Sequence, residues 1–203
     1  GETLGIIGRN GAGKSTLLKV IARVLRPTEG RVRVRGAVAP LIELGAGFHP
    51  ELTGRENVFL NGALLGFSQQ EMKERYDSIV EFAELGPFID AAMRSYSSGM
   101  VMRLGFAIAT EVRPDILIID EVLAVGDEAF RAKCLVRMAE FKARGATILF
   151  VSHALGSVKT ICDRAAWIEA GQLEALGPAG NVVDANLSCI APGAYDAGAG
   201  APA

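Results

Sequence analysis

Long hydrophobic runs are missing from this 203-residue chain. No stretch without Asp, Glu, Lys or Arg exceeds 14 residues, the length of the one from Gly145 to Val158, which includes Thr147, Ser152 and His153. A membrane-spanning helix needs roughly 18 or more apolar residues, so none is expected. An excess of one charge is missing too, since 21 basic residues face 23 acidic ones for a net charge of −2. Without a basic field, nucleic acid is not an expected partner. Cysteine is scarce: Cys134, Cys162 and Cys189 are widely spaced and form no CxxC or Cys/His cluster, which argues against a thiolate metal site and predicts reduced thiols. The start, Gly1-Glu2-Thr3, has neither an initiator Met nor the basic region of a secretory signal, and the expectation is a cytoplasmic chain whose beginning has been cut away. What is abundant is apolar side chain. Half of the residues are apolar and 22% are charged, enough for a core burying about two-thirds to 70% of the unfolded surface.

The apolar run Leu4-Gly5-Ile6-Ile7 is short, contains β-branched residues and ends in glycine, so it reads as a buried strand. Thr16 to Leu25 shows helical spacing and stops before the turn Pro27-Thr28-Glu29-Gly30. Arg31-Val32-Arg33-Val34-Arg35 alternates strictly and predicts a strand with one wet face. From Thr53 to Glu111 the composition turns helical. Ser68 and Glu71 form a capping box that opens a helix carrying Met72, Tyr76, Ile79, Val80 and Ala83 on one face, and Gly86-Pro87 stops it. Ile116 to Ile119 and Thr147 to Val151 are further buried strands, with a helix from Asp127 to Arg144 between them. Ala166 to Leu176 reads as a hairpin around Ala170-Gly171-Gln172, and the Ala/Gly/Pro-rich residues 191–203 as a disordered tail. Strands and helices in alternation predict a mostly parallel sheet covered by helices, an α/β fold.

Gly8-Arg9-Asn10-Gly11-Ala12-Gly13-Lys14-Ser15 fits G-x-x-x-x-G-K-[ST] between the first predicted strand and the first predicted helix. The glycines let backbone N–H groups converge on phosphates, and the following helix offers its positive end to the same anion. Lys14 is placed to reach the β- and γ-phosphates and the Ser15 hydroxyl to ligate Mg²⁺, with Thr16 beside it in the nucleotide-binding set. A bare glycine turn before a helix is the bland reading. Ile116-Leu117-Ile118-Ile119-Asp120-Glu121 supplies acids at the end of a buried strand: Asp120 to hold Mg²⁺, Glu121 to accept a proton from attacking water.

Tyr96-Ser97-Ser98-Gly99-Met100 resembles the LSGGQ signature of ABC transporter ATPase domains, with Ser97 and Gly99 on its Ser and second Gly. The supporting motifs stand in that family's order: Lys14, Ser97, Asp120-Glu121, then Ala124-Val125-Gly126-Asp127 resembling the D-loop and His153 resembling the switch histidine. Lys14 to Asp120 spans 106 positions and Asp120 to His153 spans 33, and the resemblance runs to about Leu187. Leu41 to Pro50, then Leu52-Thr53-Gly54-Arg55-Glu56-Asn57, and Arg103-Leu104 after the signature, look like the ATPases of bacterial polysaccharide exporters, which move O-antigen, teichoic acid or capsule chains.

The resemblance implies a P-loop NTPase fold in one domain, 1–190, with a RecA-like core (1–50 and 112–176) and an inserted helical subdomain (51–111). It implies ATP and Mg²⁺ as cofactors. Ser97, Ser98 and Gly99 would form a second anion site that closes over ATP on a second subunit, with Asp127 at that homodimer interface; simple helix capping is the bland role for each. His153 would sense the γ-phosphate, whereas His49 reads as a loop residue. The implied partner is a separate permease chain that keeps the ATPase at the cytoplasmic face of the membrane, and Phe48, Phe59, Leu60 and Phe67 either receive a permease helix or pack in the core. Two departures stand out. The family's Q-loop glutamine is absent, and Glu43, or with a one-residue shift Leu44, takes its position. Only 13 residues precede Lys14, so the family's N-terminal strands and adenine-stacking aromatic are expected to be truncated. The implied function is an ATP-hydrolysing exporter subunit; another cargo, a non-transport ABC protein and an inactive fragment are the alternatives.

Overall fold

The computed structural model describes residues 1–41, 45, 47–120 and 127–190. Its elements run β1 (Thr3–Ile7), α1 (Lys14–Ile21), β2 (Val38–Leu41), α2 (Gly54–Leu64), α3 (Gln69–Ala83), α4 (Ser98–Ala109), β3 (Ile116–Asp120), α5 (Glu128–Ala143), β4 (Thr147–Val151), α6 (Leu155–Ile161), β5 (Arg164–Glu169), β6 (Gln172–Pro178) and α7 (Ala179–Ile190). The chain divides into two compact units: Glu2–Arg33 with Ile148–Ala203, and Val34–Thr147 with Gly1.

In the first of these units, β1 lies between two parallel neighbours, pairing Ile6 with Val151 of β4 and Ile7 with Trp167 of β5. Strand β6 closes it antiparallel to β5. The expected hairpin is there: Glu169 pairs with Gln172 across the left-handed Ala170 and Gly171, a two-residue turn whose twist suits the flanking strands. Gly5 has a packing reason. A Cβ there would lie 2.6 Å from Val158 Cγ1 and 3.0 Å from Cys162 Sγ, so glycine is what lets α6 close on β1.

The other unit holds the parallel pair β2 and β3, in which Leu117, Ile118 and Ile119 are fully buried. Its helices share a core that includes Val58, Met72, Ile79, Leu104 and Ile108. The Ser68 capping box forms as expected, the Ser68 amide donating to Glu71 at 2.8 Å and the Glu71 amide to Ser68 Oγ at 3.3 Å. Met72, Ile79 and Ala83 are buried on the predicted face, with Tyr76 and Val80 half-buried. Three phenylalanines knit α3, α4 and α5 together: Phe82 stacks on Phe106 with centroids 5.9 Å apart, and both meet the edge of Phe130. Three parallel pairings, one antiparallel pairing and flanking helices make the expected α/β fold with mostly parallel strands.

Some boundaries differ from the sequence reading. Residues 31–35 are irregular rather than a strand, with Val32 44% exposed. Period-2 alternation prepares two faces, but a strand also needs a ladder partner. Helix α1 ends at Ile21 rather than Leu25, because Arg23 turns left-handed at φ 62°. Helix α3 ends at Ala83, before Gly86-Pro87, on a left-handed Glu84. Strand β2 has no counterpart in the sequence reading. The expected tail 191–203 lies outside the described residues.

Candidate functional site

The loop between β1 and α1 is built for an anion. Gly8 takes φ +148° and a Cβ on it would stand 2.0 Å from the Ile168 carbonyl oxygen, so no side chain fits. Gly11 and Gly13 are also left-handed, at φ +79° and +100°. Gly13 N-caps α1 without a side-chain hydrogen bond, and the first turn carries no acid. The first-turn amides and the positive helix end therefore face the loop with no acid in the turn itself. The chain's own anchor for this loop is the hairpin: the Gly171 amide donates to the Ala12 carbonyl at 3.0 Å, and Ala12 is buried.

Lys14 is only 6% exposed. Its Nζ donates to the Gly8 and Arg9 carbonyls at 2.8 and 3.0 Å, so the ammonium sits inside the loop's own curl. A buried ammonium is costly unless it is hydrogen-bonded, and these two carbonyls meet that need while leaving the cation central to the loop. Arg9, Asn10, Gly11, Ser15 and Thr16 are exposed at its rim. A cationic cradle of backbone amides with a hydroxyl beside it has the chemistry of an anion site, and Ser15 and, in the other unit, Asp120 each carry a hard oxygen of the kind Mg²⁺ takes.

His153 belongs to the same unit. It follows β4 two positions after Val151, and Gly8 follows β1 two positions after Ile6; since Ile6 and Val151 are register partners on parallel strands, both residues leave the sheet at the same edge. That is the edge where parallel sheets bind ligands. His153 is exposed there, and Ser152 Oγ accepts from the Ala154 amide at 3.1 Å to shape the bend.

In the other unit Asp120 ends β3 one residue past Ile119, whose register partner Leu41 ends β2. Leu41 and Asp120 therefore lie at adjacent strand ends. Glu43 and Glu121, together with Leu44 and Ala124-Val125-Gly126, lie outside the described residues. Ser97 N-caps α4, its hydroxyl accepting from the Met100 amide at 3.2 Å, with Ser98 exposed and Gly99 half-buried in the first turn. Helix α4 runs to Ala109 with Thr110 as its C-cap. Asp127 N-caps α5 and accepts from the Phe130 amide at 2.8 Å, the bland role foreseen for it. That bond, with Arg103 beside it, holds the Asp127 carboxyl below the usual carboxylate range.

Three further residues join this group. Arg103 donates to Asp127 and to Glu84, and Glu84 also accepts from Lys133. Lys133 and then Arg103 hold the Glu84 carboxyl below its ordinary range. Arg103 follows the signature-like residues in sequence, but nothing in the spacing announces its partners. His49 is an exposed loop residue, its Nδ1 accepting from the Glu51 amide at 3.3 Å. Phe48, Phe59 and Phe67 pack against the helical core, whereas Leu60 is 37% exposed. Among the described residues no helix is long and apolar enough to cross a membrane.

Known proteins carry the same pattern. A family model described as "ABC transporter" matches residues 1–124. The O-antigen export system ATP-binding protein RfbB of Klebsiella pneumoniae is 56% identical over 184 residues, which is 91% of this chain and 75% of that protein. The teichoic acids export ATP-binding protein TagH of Bacillus cereus is 46% identical over 183 residues, 90% of this chain and 33% of that longer protein. A solved structure, the ATP-binding subunit of an ABC transporter, matches with a TM-score of 0.81 at 27% identity, covering 91% of this chain and 82% of that one.

Proposed function

The chain belongs to the ABC transporter family, and from that premise we propose that it is the ATP-hydrolysing subunit of an exporter moving a lipid-linked polysaccharide across the cytoplasmic membrane. The observation that carries the reading is Lys14, a buried ammonium centred in a loop whose following helix has no acid in its first turn. Relatives named for O-antigen and teichoic acid export support the cargo class.

In this reading residues Gly8 to Thr16 hold the phosphates of ATP, with Lys14 moving from the Gly8 and Arg9 carbonyls to the β- and γ-phosphates. Ser15 and Asp120 hold Mg²⁺, which when bound neutralises charge between the phosphates. Glu121 accepts the proton of the attacking water, Glu43 orients that water, and His153 hydrogen-bonds the γ-phosphate. Ser97, Ser98 and Gly99 bring their hydroxyl and amides to ATP on a second copy of the chain, with Asp127 at that interface. Residues 1–50 and 112–176 act as the nucleotide core and 51–111 as the helical subdomain. The dimer works at the cytoplasmic face of the membrane, held by a permease.

The test is co-purification. Tagged full chain expressed in its own host should be recovered from detergent-solubilised membranes in complex with a permease, and the ATP hydrolysis of that complex should drive glycolipid export in vesicles. Recovery without any membrane protein, with ATP turnover intact, would make the chain a non-transport ATPase.

A further inference from the structure

Helices α3, α4 and α5 meet at one ionic junction. The Arg103 guanidinium, on α4, donates through one nitrogen to Glu84 Oε2 at 2.8 Å and through the other to Asp127 Oδ2 at 2.5 Å. Its carbon lies 5.0 Å above the Phe130 ring. The side chain is 19% exposed, so most of it is withdrawn from water. Each partner occupies a terminus: Glu84 is the left-handed C-cap of α3, and Asp127 is the N-cap of α5, bonded to the Phe130 amide through its other oxygen. A guanidinium can bridge two carboxylates in this way because its donors form a rigid fork. Lys133 reaches Glu84 from α5 and adds a second tie.

What the junction joins matters for the chemistry. Arg103 sits one and a half turns into the helix that Ser97 opens, and Asp127 closes the stretch that begins with Asp120 and Glu121. We propose that Arg103 is a positioning residue: by bonding Glu84 and Asp127 together it fixes the Ser97–Gly99 end of α4 against the N-terminus of α5, and so holds the second anion site in the alignment that turnover requires. This deepens the proposed ATPase reading and rests on it. Packing does not require the charge, because Phe82, Phe106 and Phe130 already hold the three helices through their rings. The arginine therefore adds direction to a contact that apolar burial would leave free to slide.

The experiment uses the full chain with Arg103→Met, which keeps a stem over Phe130 and removes both ionic bonds, and Arg103→Lys, which keeps one charge but cannot fork. Steady-state ATP turnover, Mg–ATP affinity and amide hydrogen exchange are read together. Arg103→Met should lower kcat about tenfold, with the dissociation constant for Mg–ATP within about twofold of wild type. The Phe130 and Met100 amides should exchange about tenfold faster. Arg103→Lys should recover part of each effect, and Glu84→Gln should add little to the Arg103→Met loss. A folded Arg103→Met protein with wild-type kcat and unchanged exchange overturns the proposal, as does full recovery by lysine. If wild type neither binds nor hydrolyses ATP, the ATPase reading itself falls, and exchange at Phe130 and Met100 alone decides whether Arg103 positions the two helix ends.

Discussion

Gly8 and Ile168 touch backbone to backbone: a Cβ on Gly8 would stand 2.0 Å from the Ile168 carbonyl oxygen, at a φ of +148°. The loop proposed to hold phosphate is thus seated on β5, and the seat has no room for a side chain. Gly8→Ala should leave the fold recognisable by circular dichroism and weaken Mg–ATP binding roughly ten- to a hundredfold, since local strain of about 1–3 kcal/mol must be relieved by shifting the loop. Calorimetry on the two proteins checks this, and equal affinities would mean the loop's shape is not what binds.

Lys14→Ala removes the cation at the centre of that loop. Each charge-assisted hydrogen bond is worth about 1.5–3 kcal/mol, so losing two takes an affinity from roughly micromolar toward millimolar. Fluorescent ATP-analogue titration should show no saturable binding. Retained affinity would count against the loop as the phosphate site.

Glu121→Gln keeps the shape and removes the basic oxygen. Binding of Mg–ATP should persist while turnover falls about 10²–10⁴-fold, the usual contribution of a general base. Near-normal turnover would assign the proton transfer elsewhere.

Glu71 reports on stability against pH. The Ser68 amide, then the Ser68 hydroxyl, hold its carboxyl below the ordinary value. A folded pKa below the unfolded one gives stability that is present above the unfolded pKa and lost as pH falls through the folded one. Urea unfolding of wild type and Glu71→Gln should therefore differ at neutral pH and converge in acid. At neutral pH, Ser68→Ala should cost about 1 kcal/mol, the usual value of a lost N-cap.

Much of this architecture is legible along the chain because local chemistry decides it. The runs at Thr3–Ile7, Ile116–Asp120 and Thr147–Val151 are too apolar and too short for anything but buried strands. Ser68 and Glu71 announce their helix three residues apart, and the Gly8–Ser15 pattern announces its loop. Residues 31–35 mislead for the opposite reason: alternation is local, whereas a ladder depends on what lies beside it. The Arg103 junction was not readable at all. Arg103 stands 24 residues from Asp127 and 19 from Glu84, and it is the packing of α3, α4 and α5, three phenylalanines among it, that brings the three together. Glu84 as a left-handed C-cap is equally silent, since glycine, not glutamate, is the usual signal there.

The most direct measurement is Mg²⁺-dependent ATP turnover followed across protein concentration, with Lys14→Ala beside wild type. The account predicts turnover that rises more steeply than linearly, because each site is completed by Ser97–Gly99 of a second copy, and that vanishes in the variant. Turnover strictly proportional to protein, or unchanged by loss of Lys14, would contradict it.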